Sequence, residues 1–461
     1  MDIQKFYSSL KGKRVAFCGI GGSNLPLIRI FAQHGAVVTA RDRRTEEKLG
    51  ETAVELKKLG VSLRLSEGYL EDLSEDIIFR TPGMKYYLPE LNAARERGAA
   101  VTSEMEVFFD LCPCKMIAVT GSDGKTTTTT ILSEMLKAAG KTVHLGGNIG
   151  TPLLPQIESI GPDDVAVVEL SSFQLISMRR SPDVAVVTNV TPNHLDMHKD
   201  MREYIGAKKN ILLHQNAFGR AVLNADNEIT AGFADDVRGE RLMFSRKHRC
   251  ARGAWLNEKN KIIMSLDGRD YPVMNASDIK IPGGHNIENY LAAVCALWGT
   301  VGTDVMARTA RTFSGVEHRN EFVRELDGVK YYNDSIGTTP SRTMNGTLKL
   351  FDRRIILIAG GYDKKVPFDS FGPAVVDSVK TLVLMGATAD KIEASVKAAP
   401  QYREGNPKII RVGSLEQAVR VCRAEAEAGD IVSLSPACAS FDMFPNYETR
   451  GEEFKKLVER L

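Results

Sequence analysis

The chain has 461 residues, of which 43% are hydrophobic and 26% are charged, and its formal net charge is +2. These values are typical of a globular protein of about three domains, and so small a net charge does not favour a nucleic-acid-binding or membrane-surface protein. The polar segment Met1 to Lys13 and the lack of any apolar run of about 18 residues predict a cytoplasmic protein that does not enter a membrane.

Seven cysteines are scattered along the chain, and none of them forms a C-x-x-C pair. Reduced thiols in a cytosolic protein are the favoured interpretation of this pattern. A redox or metal pair at Cys112-Pro-Cys114 is the alternative.

Apolar segments of strand length alternate with helical patterns, which predicts an α/β protein with mostly parallel sheets. Residues 1–112 begin with a strand at Arg14 to Gly19, a glycine-rich turn, and a helix that ends at His34. A second strand ends near Asp42, so we expect a Rossmann-like domain. The turn carries Asn24 where the dinucleotide fingerprint has its third glycine, so NAD binding is only weakly indicated.

The central segment, residues 113–314, predicts a P-loop ATPase-type domain. The strand at Met116 to Val119 leads into Gly121-Ser122-Asp123-Gly124-Lys125-Thr126-Thr127, where a helix should start. Backbone N–H groups of such a loop surround phosphate oxygens, the lysine reaches the terminal phosphates, and the hydroxyl of Thr126 would bind Mg²⁺. Val119 stands where the longer motif has glycine, and an ordinary glycine-rich turn is the alternative.

Three further residues of this domain are candidate ligands. Glu169 and His194 each follow a buried strand-like segment, so both belong to the edge of a parallel sheet where ligands bind. Lys208 lies on the apolar face of a helix predicted over Tyr204 to Leu212, where a cation is costly unless it is paired or chemically altered. Exposed polar residues at the two strand ends and a lysine that reaches out to solvent are the alternatives.

Asn286 and Asn289 lie three residues apart at the start of an apolar helix, where they could bind a base or cap the helix. The sequence does not predict the topology of residues 220–280. Residues 315–461 predict a second Rossmann-like domain with strands at 329–332, 354–359, 380–385, 408–412 and 430–434.

The motifs resemble those of the Mur ligase family over essentially the whole chain, most closely those of its D-glutamate-adding branch. The shared signatures are Gly121 to Thr126, Glu169 to Leu175, Asn189 to Thr191 with His194 and Asp196, His285-Asn286 with Asn289, His318-Arg319, Asn333 to Ser335, Gly360-Gly361 with Lys364, and Ser435 to Asp442.

This resemblance implies an ATP-dependent carboxylate–amine ligase. In such an enzyme ATP phosphorylates the carboxylate of UDP-N-acetylmuramoyl-L-alanine, and the amine of D-glutamate then attacks the acyl phosphate. It further implies Mg²⁺, expected as two ions, and a carbamylated lysine at Lys208. We expect these small molecules, and neither nucleic acid nor membrane, to be the partners of a monomeric protein.

The resemblance also assigns roles to single residues. Lys125, His194 and Lys208 are implied as catalytic, with Thr126 and Glu169 on one Mg²⁺ and His194 and Lys208 on the other. The implied nucleotide-binding residues are Gly121, Ser122, Asp123, Gly124, Lys125, Thr126, Thr127, Asn286, Asn289, Arg319 and Asp334. Those for the UDP-linked substrate are Ser23, Asp42, Thr81 and Asn148, and those for D-glutamate are Thr338, Lys364, Ser440, Phe441 and Tyr447.

Two positions depart from the family pattern. Many relatives carry lysine after Asn-Asp-Ser, whereas this chain has Ile336, and Asp123 places a carboxylate in the phosphate loop. Three rival functions remain: an amide ligase for another amino acid or for folate, a nucleotide-dependent switch, and a dehydrogenase.

Overall fold

The computed structural model describes residues 3–192, 197–351 and 355–461. The chain forms two compact units. Unit 1 contains Met1–Ile279 and Gly284–Arg311, and unit 2 contains Lys280–Gly283 and Thr312–Leu461. Both units are α/β, as the sequence predicts. Among the described residues, none of the helices has both the length and the apolar character that a membrane span requires.

The first sheet of unit 1 has five parallel strands in the order β3-β2-β1-β4-β5. The strands are Arg14–Cys18 (β1), Val37–Asp42 (β2), Ser62–Leu65 (β3), Ile77–Arg80 (β4) and Ala100–Thr102 (β5). Alternate residues of β1 enter two hydrophobic clusters, one on each face, which explains its continuous apolar run. The order in which strands are added to the sheet reverses between β1 and β4, so the loops that follow these two parallel strands diverge and leave a crevice.

The second sheet of unit 1 has nine strands in the order β14-β13-β12-β11-β10-β9-β6-β8-β7. They are Lys115–Thr120 (β6), Val143–Gly147 (β7), Val165–Glu169 (β8), Val184–Val187 (β9), Arg220–Asn224 (β10), Glu240–Ser245 (β11), Gly253–Leu256 (β12), Lys261–Leu266 (β13) and Arg269–Asn275 (β14). Residues 220–280, whose topology the sequence did not predict, continue the parallel sheet and end it with antiparallel strands β13 and β14.

Unit 2 has one sheet of six strands in the order β15-β16-β20-β17-β18-β19. They are Glu321–Leu326 (β15), Val329–Asn333 (β16), Ile355–Ala359 (β17), Val379–Leu384 (β18), Lys408–Arg411 (β19) and Ile431–Leu434 (β20). The five strands after β15 correspond to the five predicted segments and are parallel. The sequence did not predict β15, which pairs antiparallel with β16.

Helices connect the strands of all three sheets. Those that begin in unit 1 are Ile3–Ser9 (α1), Leu25–Gln33 (α2), Glu46–Leu49 (α3), Glu51–Lys58 (α4), Pro89–Glu96 (α5), Glu104–Leu111 (α6), Lys125–Ala138 (α7), Ser172–Leu175 (α8), Met201–Leu213 (α9), Glu228–Ala231 (α10), Gly284–Leu297 (α11) and Thr303–Thr312 (α12). Those of unit 2 are Pro340–Asn345 (α13), Thr347–Leu350 (α14), Phe371–Ser378 (α15), Ala389–Ala398 (α16), Leu415–Glu425 (α17) and Tyr447–Glu459 (α18).

We propose three domains, one for each sheet, with boundaries at 112/113 and 314/315. The first boundary lies in the short connection between α6 and β6. The first two sheets nevertheless belong to one compact unit, so the described cleft between their loops is a feature of unit 1.

Candidate active site

The loop between β6 and α7 has the backbone that a phosphate loop requires. Gly121 and Gly124 have φ angles of 154° and 77°, a region that favours glycine. A Cβ atom at Gly121 would lie 1.9 Å from Oγ1 of Thr188, and one at Gly124 would lie 2.5 Å from Oδ1 of Asn289. Conformation and space therefore both require glycine at these two positions.

Lys125 and the backbone of Asp123 complete the loop. Nζ of Lys125 donates to the carbonyl oxygens of Gly121 and Ser122, at 3.0 and 2.9 Å. The backbone N–H of Asp123 donates to Oδ1 of Asn189 at 2.9 Å. Asp123 is exposed, so its carboxylate is not buried against the loop. The conformation of the loop is thus stabilised by its own lysine and by the segment that follows β9.

Three of the predicted residues meet at the carboxyl ends of the adjacent strands β6, β8 and β7. Oγ1 of Thr126 donates to Oε2 of Glu169 at 2.7 Å, and Nδ2 of Asn148 donates to Oε1 of the same carboxylate at 2.8 Å. Glu169 is 1% exposed, so these hydrogen bonds hold a buried anion beside the phosphate loop. Carboxylate and hydroxyl oxygens are the ligands that Mg²⁺ prefers.

Lys208 reaches the same loop from the middle of α9. The helix begins where the Asp200 carboxylate accepts the backbone N–H of Glu203. Lys208 is 2% exposed, and its Nζ donates to the carbonyl oxygen of Gly121 at 2.6 Å and lies 4.7 Å from the centre of the Tyr204 ring. Burial, and then the nearby charge of Lys125, lower the pKa of Lys208 to about 7. The lysine therefore does not extend to solvent.

His194 lies outside the described residues, so its predicted position beside Lys208 is not described. The described part of the segment that follows β9 ends at residue 192 and contacts the phosphate loop. Oγ of Ser122 donates to the carbonyl oxygen of Thr191 at 3.0 Å and lies 2.9 Å from the Tyr204 hydroxyl.

Asn286 and Asn289 support the loop from α11. Nδ2 of Asn289 donates to Oδ1 of Asn286 at 3.0 Å, and Oδ1 of Asn289 accepts from Thr128 of α7 at 3.1 Å. Both asparagines are buried. Their contacts thus join α11 to α7 behind Gly124, which is a role that the sequence pattern did not suggest. Thr127 of α7 is half-buried.

The loops after β1 and β4 line a cleft of unit 1. Its lining residues are Gly22, Ser23, Asn24, Arg80, Pro82, Ser103, Glu104, Met105, Gly147, Asn148, Gly150, Pro152 and Gln174. Two predicted substrate residues, Ser23 and Asn148, therefore share one cleft. Thr81 stands next to its wall, and its Cγ2 would lie 3.1 Å from a Cβ atom at Gly19.

Asp42 lies at the end of β2, and both of its carboxylate oxygens are hydrogen-bonded. It accepts from the backbone N–H groups of Ile20 and Arg44 and from the Arg44 guanidinium, at 2.8 to 2.9 Å. Although burial opposes the effect, these hydrogen bonds lower the pKa of Asp42. Asp42 therefore joins the loop after β1 to Arg44, whose guanidinium is partly exposed.

Sequence reasoning missed Arg80, which is 1% exposed at the end of β4. Its guanidinium donates to the carbonyl oxygen of Phe173 at 2.8 Å and to Oγ of Ser177 at 2.9 Å. Because these two partners are more than 90 residues away in the chain, no local pattern could have indicated this role. The residue that precedes Thr81 thus links the first sheet to the second.

In unit 2, the loops after the adjacent strands β16, β20 and β17 carry the remaining candidates. Asp334 follows β16, is 4% exposed, and accepts from Ser435 at 2.6 Å and from Thr347 at 3.0 Å. Burial raises the pKa of Asp334 to about 6 against these hydrogen bonds. Arg319 lies in the segment that connects α12 to β15, and its charge acts on the pKa of Asp334 in the opposite direction to burial.

The predicted D-glutamate residues lie at the same edge of the sheet. Nζ of Lys364 donates to Oγ1 of Thr338 at 3.3 Å. Ser440 is 2% exposed, and its hydroxyl has no hydrogen-bond partner among the described residues. Phe441 is 64% exposed and contacts the ring of Tyr362, whereas Tyr447 begins α18 and packs edge-on against His318.

Arg450 was also missed, and it fixes two of these loops to each other. It is 1% exposed and donates to Oγ and the carbonyl oxygen of Ser335 and to the carbonyl oxygens of Cys438 and Ala439, at 2.9 to 3.2 Å. The loops after β16 and β20 therefore share one buried cation from α18. Burial lowers the pKa of Arg450 to about 10.

Comparison with known proteins gives matches to both units. A family model for the Mur ligase middle domain matches residues 119–297, and one for the glutamate ligase domain of Mur ligases matches residues 318–438. The chain is 52% identical to UDP-N-acetylmuramoylalanine–D-glutamate ligase of Acetivibrio thermocellus, over 99% of this chain and 98% of the relative. It is 51% identical to the ligase of the same name in Clostridium kluyveri, over 99% of each chain.

Solved structures resemble the fold at lower identity. UDP-N-acetylmuramate-alanine ligase from Thermotoga maritima matches with a TM-score of 0.56 and 18% identity, over 97% of this chain and 99% of that one. A pseudomurein peptide ligase from Methanothermus fervidus matches with a TM-score of 0.52 and 19% identity, over 97% of this chain. These likenesses support the multi-domain α/β fold.

Proposed function

The chain belongs to the Mur ligase family, and from this premise we propose that the residues around the Gly121–Thr126 loop activate a substrate carboxylate with ATP. The protein is an ATP-dependent, amide-forming ligase that adds D-glutamate to UDP-N-acetylmuramoyl-L-alanine, the reaction named in its full-length relatives. Membership of this family leaves no support for the dehydrogenase alternative.

The reaction needs two steps because a carboxylate is a poor electrophile. A carboxylate oxygen of the UDP-linked substrate attacks the γ-phosphorus of ATP, the bond to the β-phosphate oxygen breaks, and ADP leaves. The unprotonated amine of D-glutamate then attacks the carbonyl carbon of the acyl phosphate and forms the N–C bond. The nitrogen releases a proton to solvent, the bond from the carbonyl carbon to the phosphate oxygen breaks, and phosphate leaves as the amide forms. Negative charge grows on oxygens in both steps, so oriented N–H groups and cations supply most of the catalysis.

The contact between Thr126 and Glu169 is the observation that supports this proposal most directly. A hydroxyl at the start of α7 and a buried carboxylate at the end of β8 meet beside a phosphate loop. These oxygens fit Mg²⁺, and we propose that they hold one ion, with His194 and carbamylated Lys208 holding a second. Bound magnesium would offset the negative charge of the nucleotide phosphates. Lys125 already points into the loop that would receive them.

We also propose that Lys208 becomes carbamylated. A pKa of about 7 leaves about half of its amines unprotonated near neutral pH, whereas an ordinary lysine is almost fully protonated. The amine nitrogen attacks the carbon of CO₂, an N–C bond forms, and the nitrogen releases a proton to solvent. The product keeps one N–H group for the Gly121 carbonyl oxygen and replaces a buried cation with an oxygen-bearing anion.

The remaining candidates divide between the two small-molecule substrates. We propose that the cleft containing Ser23 and Asn148 binds the UDP-linked substrate, with Asp42 and Thr81 positioning its loops. Thr338, Lys364, Ser440, Phe441 and Tyr447 are proposed to bind D-glutamate, and Asn286, Asn289, Arg319 and Asp334 to serve the nucleotide. We place the reaction in the cytoplasm, where ATP is available, and expect a monomer.

Oxygen transfer tests the proposed intermediate. The substrate UDP-N-acetylmuramoyl-L-alanine is labelled with ¹⁸O in its terminal carboxylate and incubated with ATP, Mg²⁺ and D-glutamate. Because that carboxylate attacks phosphorus, one labelled oxygen should appear in each released phosphate, as measured by mass spectrometry. Unlabelled phosphate together with amide product would contradict activation through an acyl phosphate. Omission of D-glutamate is the control for uncoupled hydrolysis of ATP.

A further inference from the structure

Two cations are held on the same short turn in unit 2. The carbonyl oxygen of Ile336 accepts the backbone N–H of Thr338 at 2.8 Å and the guanidinium NH1 of Arg342 at 3.2 Å. The hydroxyl of Thr338 accepts from Nζ of Lys364 at 3.3 Å. The turn after β16 therefore carries Arg342 on one side and Lys364 on the other.

Protein carboxylates do not neutralise this pair in the part of the chain that is described. Neither Arg342 nor Lys364 has a carboxylate oxygen within 4.0 Å there. Asp363, the nearest acid in sequence, pairs with Lys391 and accepts the backbone N–H of Lys365. Backbone and hydroxyl oxygens fix both cations but do not cancel their charge, so an anion bound between them would gain from both.

The position of the turn matches a ligand site of an α/β sheet. It follows β16, whose neighbour in the sheet is β20, and the segment that carries Lys364 follows β17 on the other side of β20. Ser440, with its buried and unpartnered hydroxyl, lies in the loop after β20. Ligands of such sheets bind outside the carboxyl ends of the strands, which is where these three loops meet.

We propose that Arg342 binds one carboxylate of the incoming D-glutamate while Lys364 binds the other. This inference rests on the proposed function and adds a specificity residue to its amino-acid site. D-Glutamate carries two carboxylates, and a planar guanidinium can donate two parallel hydrogen bonds to one of them. The side chain at 336 is isoleucine and has no charge to offer, so the cation at this turn comes from α13 instead.

Replacement of Arg342 should raise the KM for D-glutamate selectively. In the full-length enzyme at saturating ATP and UDP-linked substrate, R342Q should raise this KM about tenfold or more, because a charge-assisted hydrogen bond is lost. R342K, which keeps the positive charge, should raise it less. The KM values for ATP and for the UDP-linked substrate should stay within about twofold, and thermal unfolding should be unchanged because Arg342 is exposed.

Arg403 provides a matched control. It is also an exposed arginine of unit 2 whose guanidinium donates to local backbone carbonyl oxygens, those of Pro400 and Tyr402. It lies before β19, at the opposite end of the strands from the turn. R403Q should therefore leave the KM for D-glutamate unchanged.

Three results would overturn the inference: an unchanged KM for D-glutamate in R342Q, an increase in the KM for ATP instead, or equal losses in R342K and R342Q. In each of these cases the wild-type enzyme would still depend on D-glutamate, and the proposed function would stand. Wild-type turnover without any dependence on D-glutamate would instead overturn the proposed function itself.

Discussion

The charge of Lys208, which contacts the phosphate loop, changes with the pH of the solution near neutrality. Its pKa is lowered to about 7 in the folded protein, whereas a lysine in the unfolded chain titrates at about 10.4. Between these values the unfolded state binds more protons, so the free energy of unfolding of the uncarbamylated enzyme should rise as pH increases from 7 towards 10. Below pH 7 the amine is protonated in both states, so the free energy of unfolding stays lowered by the full penalty for burying a charged amine.

The comparison of wild type with K208M isolates this effect. In buffers free of CO₂, denaturant unfolding at pH 7 and pH 9 should show wild type gaining stability relative to K208M as pH rises. Other titrating groups are common to both proteins and cancel in the difference. A difference in the free energy of unfolding that stays constant between the two pH values would contradict a lowered pKa at Lys208.

Glu169 should determine the affinity for magnesium. E169Q keeps the size of the side chain and can still accept from Thr126, but it removes the buried negative charge. We expect the Mg²⁺ concentration for half-maximal activity to rise by about tenfold or more, since a charged oxygen ligand is worth at least ~1.4 kcal/mol.

E134Q is the matched control for that measurement, because Glu134 lies half-buried on α7 with its side chain 42% exposed, and its partner among the described residues is Lys137. Its magnesium activation curve should overlay that of wild type. If E169Q also overlays wild type, the proposed ion at Thr126 and Glu169 is wrong.

The phosphate loop, as an element, depends on glycine for two separable reasons. Gly124 and Gly140 both have positive φ, at 77° and 80°, but only a Cβ atom at Gly124 would collide with a neighbour, Oδ1 of Asn289. Gly140→Ala should therefore cost only about 1 kcal/mol of stability and leave ATP affinity unchanged. Gly124→Ala should in addition weaken ATP binding by about tenfold or more, because the loop must move away from α11.

Isothermal titration with a non-hydrolysable ATP analogue measures this difference directly, and thermal unfolding checks that both variants fold. Equal affinities of Gly124→Ala and Gly140→Ala would show that the contact with Asn289 does not shape the nucleotide site.

The elements that the sequence predicted are those with local signals. The phosphate loop, the helix around Lys208 and the five parallel strands of unit 2 follow from turn residues and apolar periodicity within about ten residues. Arg80 and Arg450 gave no such signal, because their partners are brought close only by the sheets. Asn289 was recognised, but its contact with Thr128 depends on helix packing that no periodicity reveals.

For the whole molecule, the pattern of alternating strands and helices predicts three α/β domains, and the described residues form three sheets. The sequence pattern did not predict where the parallel pairing of strands ends. Strands β14 and β15 lie at sheet edges and β13 is next to β14, and the partner of each of these strands is set by long-range register and not by its own residues. The sequence did not predict the division into two units either. The first two sheets belong to one unit because they pack together, and this packing depends on residues from many segments of the chain.

The choice of amino acid is the property of the whole molecule on which the proposed function depends most. Phosphate release should be measured with ATP, Mg²⁺ and UDP-N-acetylmuramoyl-L-alanine while D-glutamate, L-glutamate, L-alanine, L-lysine and meso-diaminopimelate are supplied in turn. We predict turnover with D-glutamate and formation of one amide for each phosphate released. Turnover with another of these amino acids, and none with D-glutamate, would contradict the proposed function.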